Sequence, residues 1–278
     1  MKLNIPSDGT KIGHDGERLV VPDNPIIPYI IGDGIGIDVT PVMKRVLDYA
    51  VNKAYGNTRE IMWLELYAGS NSKELYGSIL PEETIEAMKE YRISIKGPLT
   101  TPIGKGHKSI NVQIRQKLDL FACVRPIKYF PGTSTPMAES GLTDMVVFRE
   151  NTEDLYSGIE WEPNSPGAKR IIDFINKELG HSPFRFEDNC GIGIKPVSEE
   201  GTKRLIRMAV DYSLALNKSS ITVVHKGNIM KYTEGAFRDW AYDVVTKEYS
   251  GIIQKDNTYI IDNSKFNSEL VIKDCIAD

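Results

Sequence analysis

Cysteine and histidine are scarce in this sequence, with three of the first and four of the second among 278 residues. Cys123, Cys190 and Cys275 are odd in number and widely separated, which argues against a disulfide framework and for a reducing compartment, the cytoplasm. No Cys/His spacing matches a zinc site. Long apolar runs are missing too, and the polar start of the chain has no apolar h-region, so neither a membrane span nor a signal peptide is expected. Charge of one sign does not accumulate: 34 Lys and Arg stand against 38 Asp and Glu, a net charge of -4. No basic block recurs with interleaved aromatics, which argues against nucleic acid as a partner. There is no internal repeat and no low-complexity segment.

What remains is ordinary globular material, 41% apolar and 26% charged, of a length that suits two domains better than one. Ile26–Ile31 reads as a buried strand. It runs into the glycine-rich turn Gly32-Asp33-Gly34-Ile35-Gly36 and then a helix capped by Thr40, with Pro41 in its first turn and Gly56 as its stop. The turn has GxGxG spacing, so the GxGxxG fingerprint of a pyrophosphate-binding Rossmann domain is not met and a structural βα turn is the plainer reading. A second helix is expected from Pro81, with Ile85 and Met88 on its apolar face, and a strand over Ile93–Ile95. Thr143–Asn151 is a near-continuous apolar run of the kind buried in a sheet, ending in charge. Tyr156–Cys190 turns polar and Gly/Pro-broken, as an insertion would. Alternation then resumes: a strand at Gly191–Lys195, a helix capped by Ser198, a strand at Ile221–Val224, and a helix capped by Thr233. The helix at Ser198 carries Leu205, Met208, Ala209, Tyr212 and Leu216 on one face. Strands alternating with helices imply an α/β fold with a mostly parallel sheet covered on both faces. Its sites should lie at the C-terminal strand ends.

Chemistry concentrates in Lys96–Arg125, where a Gly/Pro/Thr loop leads into a helix-like segment with Ser109, Asn111 and Arg115. Arg115, Arg125 and Arg149 are candidates for holding a di- or tricarboxylate, because a guanidinium fork pairs with a carboxylate through two bonds. Any one of them could equally be a surface ion-pair residue. Lys226 follows an apolar strand, where it could take part in proton transfer or simply meet water. Tyr156 could be an acid or a packed aromatic. His107 and His225 adjoin these positions, though a lone histidine is more commonly a hydrogen-bonding or surface residue. Asp274 and Asp278 are four apart and would share a helix face if that segment is helical. The residues alone therefore describe an α/β enzyme acting on a small polyanion.

Five segments carry a more specific resemblance: Ile30–Asp38 (IIGDGIGID), Lys96–Pro102 (KGPLTTP), Ser109–Gln116 (SINVQIRQ), Asp144–Trp161 (DMVVFRENTEDLYSGIEW) and His225–Gly235 (HKGNIMKYTEG). Together they resemble the isocitrate/isopropylmalate dehydrogenase family and, within it, the bacterial-type NADP-dependent isocitrate dehydrogenases. KGPLTTP followed by Ser-x-Asn-x-x-x-Arg separates these from the isopropylmalate enzymes. The resemblance implies a large domain over 1–121, a small domain from 122–154 and 199–278, and a clasp for dimerisation over 155–198. It implies that Ser109, Asn111, Arg115, Arg125 and Arg149 bind isocitrate, and that Tyr156 protonates the enol left by decarboxylation. Lys226, supplied by the neighbouring subunit of a homodimer, would assist removal of the hydroxyl proton. Thr100 and Asn228 would contact NADP, and Asp278 would ligate Mg²⁺ or Mn²⁺. Ser109 is a phosphorylation candidate in such enzymes, which implies a regulatory kinase and phosphatase, and the activity belongs to the tricarboxylic acid cycle and the glyoxylate bypass. The family's chains are longer, so the same resemblance implies that the 278 residues alone turn over little or nothing. Two alternatives accompany it: a non-catalytic dimerisation remnant, or a β-decarboxylating dehydrogenase for homoisocitrate or isopropylmalate.

Overall fold

The structure is a computed structural model that describes residues 2–100, 109–180, 184–254 and 258–277, with the side chain of Ser140 left out. His107 and Asp278 lie outside the described residues. The chain forms two compact units, Met1–Asp119 and Leu120–Asp278, each taken by itself.

In the first unit a short hairpin, β1 (Gly13–His14) and β2 (Leu19–Val20), precedes the expected strand β3 (Ile26–Ile30). β3 is the middle of a three-stranded parallel sheet, flanked by β4 (Met62–Leu66) and β5 (Ile95–Lys96). Pro28 lies inside this central strand, a position that normally lacks proline because its nitrogen cannot donate. It is tolerated where it is because pairing with β5 begins only at Tyr29. The fifth strand also starts two residues later than its apolar alternation predicts.

Helix α1 (Gly36–Tyr55) begins four residues before the expected cap. Thr40 is not a cap but a buried residue of the second turn, and its hydroxyl donates to the Ile31 carbonyl at 2.7 Å, tying the helix to the end of β3. Two glycines in the left-handed region, Gly32 and Gly34, make the tight turn that allows the early start. Gly56 ends the helix with φ of 57°, as expected. The short α2 (Ser70–Tyr76) and α3 (Glu82–Tyr91) follow, and α3 opens at Pro81 and buries Ile85 and Met88 as its periodicity predicts. Helix α4 (Ile110–Lys117) buries Ile110 and Ile114. The core of the unit joins Ile26, Ile30, Leu64, Leu66, Ile85 and Ile114.

The second unit starts with an antiparallel ribbon of β6 (Ala122–Lys128) and β7 (Asp144–Glu150). The apolar run in β7 is not buried in a sheet: Met145 and Val147 are exposed, because the ribbon has only two strands. A second ribbon pairs β8 (Ile159–Trp161) with β9 (Ile192–Ile194). Between them, α5 (Pro166–Lys177) starts from a Ser165 cap with proline in its first turn. Helix α6 (Glu199–Ala215) is capped by Ser198, whose hydroxyl accepts from the Gly201 N–H at 3.0 Å. Its buried stripe is Leu205, Ile206, Ala209, Val210 and Ser213, so Met208 and Leu216 of the expected face stand exposed.

Strand β10 (Ser220–His225) is followed by a π-helical turn, Lys231–Gly235, and by α7 (Ala236–Lys247). Thr233 caps nothing, being inside that turn with its hydroxyl oxygen buried and without a hydrogen-bond partner among the described residues. The short β11 (Ile252–Ile253), β12 (Tyr259–Asn263) and β13 (Ser268–Ile276) complete a sheet in the order β10-β13-β12-β11. β10 and β13 run parallel and the other two pairings are antiparallel. Asp274 lies in β13, an extended segment, so it is not on the helix face that the spacing of four suggested. Ile206, Val210, Val223, Val244, Leu270 and Ile272 pack as the core of this unit. No helix among the described residues is long and apolar enough to cross a membrane.

Candidate active site

In the first unit the site is built on a crossing of two loops. The ends of β3 and β5 come so close that a Cβ on Gly97 would lie 1.9 Å from the Ile31 carbonyl oxygen, and one on Gly32 would lie 2.3 Å from that of Pro98. Only glycine permits this approach. Across the crossing, Asp33 N–H donates to the Pro98 carbonyl at 2.6 Å. The Asp33 carboxylate accepts from the Ser70 N–H through one oxygen at 2.8 Å and from the Thr100 N–H through the other at 2.9 Å. Thr100, the expected cofactor contact, is thus exposed on a loop that Asp33 holds by its backbone.

Helix α4 follows the loop. Asn111 and Arg115, four residues apart, share a face next to the buried Ile110 and Ile114. The Asn111 amide donates to the Leu99 carbonyl at 3.3 Å and so ties this helix to the Thr100 loop. Ser109 is the residue that precedes the first turn of α4. Burial, and then the charge of Arg115, push Lys96 below the ordinary lysine value against the pull of Asp33. Ser109, Asn111, Arg115 and Thr100 are therefore gathered within one unit, together with Lys96.

In the second unit, Cys123 stands opposite Arg149 in the β6/β7 register, and Arg125 is two residues further along. Alternation places Arg125 and Arg149 on the same face of the ribbon. Arg125 donates from Nε to Cys123 Sγ at 3.2 Å. The Arg149 guanidinium lies over the Tyr156 ring, 4.8 Å from its centroid, and donates to Asn151 Oδ1 at 3.4 Å. Its Nε is buried without a hydrogen-bond partner among the described residues. Arg149 and Tyr156 line a cleft of about 300 Å³ with Lys195, Glu153, Glu234 and Phe237.

Lys226 follows β10, and its N–H donates to Glu234 Oε2 at 2.7 Å. The preceding His225 is buried, not a surface residue. Its Nδ1 accepts from the Gly227 N–H at 2.9 Å, so the ring proton resides on Nε2 and is donated to Asp274 Oδ2 at 3.0 Å. Tyr242 donates to the other Asp274 oxygen. Burial would raise the Asp274 carboxyl, but the Tyr242 and His225 bonds outweigh it and hold it below its ordinary value. Asn228 is exposed just beyond this turn.

The second unit thus brings Arg149 into contact with Tyr156 and places Arg125 on the same ribbon face, while Lys226 and Asn228 occupy a separate turn. Asp33, Lys195, Glu153 and Glu234 were not among the expected site residues. Lys195 could have been found, since it stands at the end of an apolar strand just as Lys226 does. Asp33 was masked by the glycine turn around it. No three His, Cys, Asp or Glu side chains among the described residues are grouped to hold a metal ion.

The first unit of this α/β chain thus carries a glycine-enforced βα turn and a Ser-x-Asn-x-x-x-Arg helix, and the second unit an arginine stacked on a tyrosine. The chain belongs to the isocitrate/isopropylmalate dehydrogenase family, whose model matches residues 26–273. It is 52% identical to isocitrate dehydrogenase (NADP) 1 of Colwellia maris, over 100% of this chain and 68% of that protein. It is 50% identical to isocitrate dehydrogenase (NADP) of Pseudomonas aeruginosa, over 100% of this chain and 67% of that one. Among solved structures, the crystal structure of isocitrate dehydrogenase from Methylococcus capsulatus matches with a TM-score of 0.66 at 32% identity, covering 90% of this chain and 60% of that chain. The chain spans about two thirds of the length of these curated relatives.

Proposed function

We propose that this chain is part of an NADP-dependent isocitrate dehydrogenase that converts isocitrate to 2-oxoglutarate and carbon dioxide. The observation that carries the reading is the Arg149–Tyr156 stack at 4.8 Å. An arginine fork, which pairs readily with a carboxylate, lying against a phenol that can give a proton supports a β-decarboxylation. Identity near 50% to two NADP isocitrate dehydrogenases supports the same substrate.

In this reading Ser109, Asn111, Arg115, Arg125 and Arg149 bind the three carboxylates. Lys226 assists loss of the C2 hydroxyl proton as the C2 hydride leaves for NADP⁺, and the resulting ketone loses its β-carboxylate as carbon dioxide. Tyr156 then protonates the enol carbon. Thr100 and Asn228 are the cofactor contacts. A divalent cation, Mg²⁺ or Mn²⁺, would supply charge withdrawal at the C2 oxygen. The described residues alone do not assemble a site for it, and the assigned ligand Asp278 lies outside them. The enzyme is a cytoplasmic homodimer divided into a large domain over 1–121, a small domain over 122–154 and 199–278, and a clasp over 155–198. Ser109 is open to control by a kinase and phosphatase, because a phosphate there would occupy a carboxylate position.

The test is NADP⁺ reduction with isocitrate, homoisocitrate and isopropylmalate, using the chain alone and the chain extended by the remaining third of its relatives. Reduction with isocitrate only, in the extended chain, is expected. Preference for isopropylmalate would overturn the reading.

A further inference from the structure

Two turns of the second unit carry the side chains proposed for proton transfer. One is the 3₁₀ turn Asp154–Ser157 with Tyr156, and the other is the turn after β10 with Lys226. Both turns are gripped by the same strand end, Lys195-Pro196. Asp154 N–H donates to the Pro196 carbonyl at 2.9 Å, and Lys195 Nζ pairs with Asp154 Oδ2 at 3.1 Å. Asp154 needs that grip because its φ of 58° is a left-handed conformation that a residue with a Cβ adopts at a cost. The same Lys195 ammonium pairs with Glu234 Oε1, while Glu234 Oε2 receives the Lys226 N–H at 2.7 Å. The chain of contacts is therefore Asp154, Lys195, Glu234 and Lys226 N–H. All three ionised side chains are largely shielded, with 20% of Lys195, 30% of Asp154 and 18% of Glu234 exposed. Shielding makes loss of either partner costly, because the other charge is then left desolvated and unpaired.

We propose that Lys195 is a positioning residue that locks the Tyr156 turn and the Lys226 turn to each other, so that neither moves independently. The lysine touches no reacting atom; its role is to bridge two carboxylates on two turns. An arginine can replace it, since its fork also reaches two acceptors, whereas methionine keeps the stem and removes the bridge. The importance of the two turns rests on the function proposed above; the coupling does not.

The experiment is amide hydrogen exchange on the substrate-free chain, following residues 154–157, residues 226–235 and, as an internal control, strands β12 and β13. Asp154→Asn should speed exchange in 226–235, to which Asp154 is linked through Lys195, and Glu234→Gln should speed it in 154–157. Each effect should be roughly three- to tenfold, the size expected within one ion-pair network. Lys195→Met should loosen both turns together, and Lys195→Arg should restore both, with the control strands unchanged in every variant. Changes confined to the turn carrying the substitution, or no rescue by arginine, would overturn the proposal. So would acceleration spread into β12 and β13, which would mark Lys195 as a general fold determinant. Coupling in this chain, with no isocitrate oxidation by the chain extended by the remaining third of its relatives, would sink the proposed function and leave this inference standing.

Discussion

Asp33 and Thr100, 67 residues apart in sequence, are joined by a hydrogen bond of 2.9 Å from the Thr100 N–H to the Asp33 carboxylate. The second carboxylate oxygen holds the Ser70 N–H, so one side chain fixes two loops at the C-terminal edge of the parallel sheet. Asp33→Asn leaves one oxygen for two donors and turns an NH₂ group toward the other. The expected cost is about 1.5–3 kcal/mol, the worth of a hydrogen bond to a charged group, read as a lower urea midpoint at unchanged slope. Unchanged stability would show that the loops hold themselves.

Gly97→Ala should be harsher. The new methyl would lie 1.9 Å from the Ile31 carbonyl oxygen and 2.9 Å from the Thr40 hydroxyl, so β5 must leave β3 or the helix must shift. A loss of about 3 kcal/mol or more is expected, in the range of overpacked core sites. Thermal unfolding checks it, and a midpoint within a degree or two of the parent would contradict the close approach.

The dependence on acid follows from Glu234. Its burial would raise the carboxyl, but Lys195 and the Lys226 N–H outweigh that and hold it below the ordinary glutamate value. A depressed folded value means that its stabilisation is complete above the unfolded value, about 4.3, and is lost as pH falls through the folded one. Glu234→Gln should therefore flatten the fall in melting temperature between about pH 5 and pH 3. Lys195 behaves oppositely at the other end, where burial is overcome by its two carboxylates and its value is raised. Its contribution is complete below the unfolded value and fades only in strong alkali. A parallel acid limb in the Glu234 variant would contradict this assignment.

Arg149→Lys keeps the charge but loses the planar fork and its stacking over Tyr156. Isocitrate affinity should fall by roughly 10- to 100-fold, the equivalent of one charged hydrogen-bonded contact. Calorimetric titration reads it directly. Equal affinity in the two proteins would remove Arg149 from the substrate site.

Much of this was legible in the residues because it is local. The β3 strand, the Gly56 stop, the Pro81 start and the Ser198 cap each depend on neighbours within a few positions. The start of α1 was missed because Thr40 offers a plausible cap, while the true beginning depends on two glycines with positive φ. The strand at Asp274 was missed because a spacing of four fits a helix face, whereas pairing with Val223 of β10, 51 residues away, decides the matter. For the same reason Arg115, Arg125 and Arg149 could be listed as candidates from the chemistry of their guanidinium groups, but not Asp33, Lys195 or Glu234. Their partners lie 67, 39 and 8 residues distant, and no spacing in the chain encodes those meetings.

In the proposed function the Ser109–Arg115 helix and the Arg149 fork serve isocitrate and not the other acids of this family. Calorimetric titration of the protein with isocitrate and with isopropylmalate, each with Mg²⁺ present, tests it most directly. Binding of isocitrate at least about tenfold tighter is expected, a difference of about 1.4 kcal/mol. Equal affinities, or tighter binding of isopropylmalate, would contradict it.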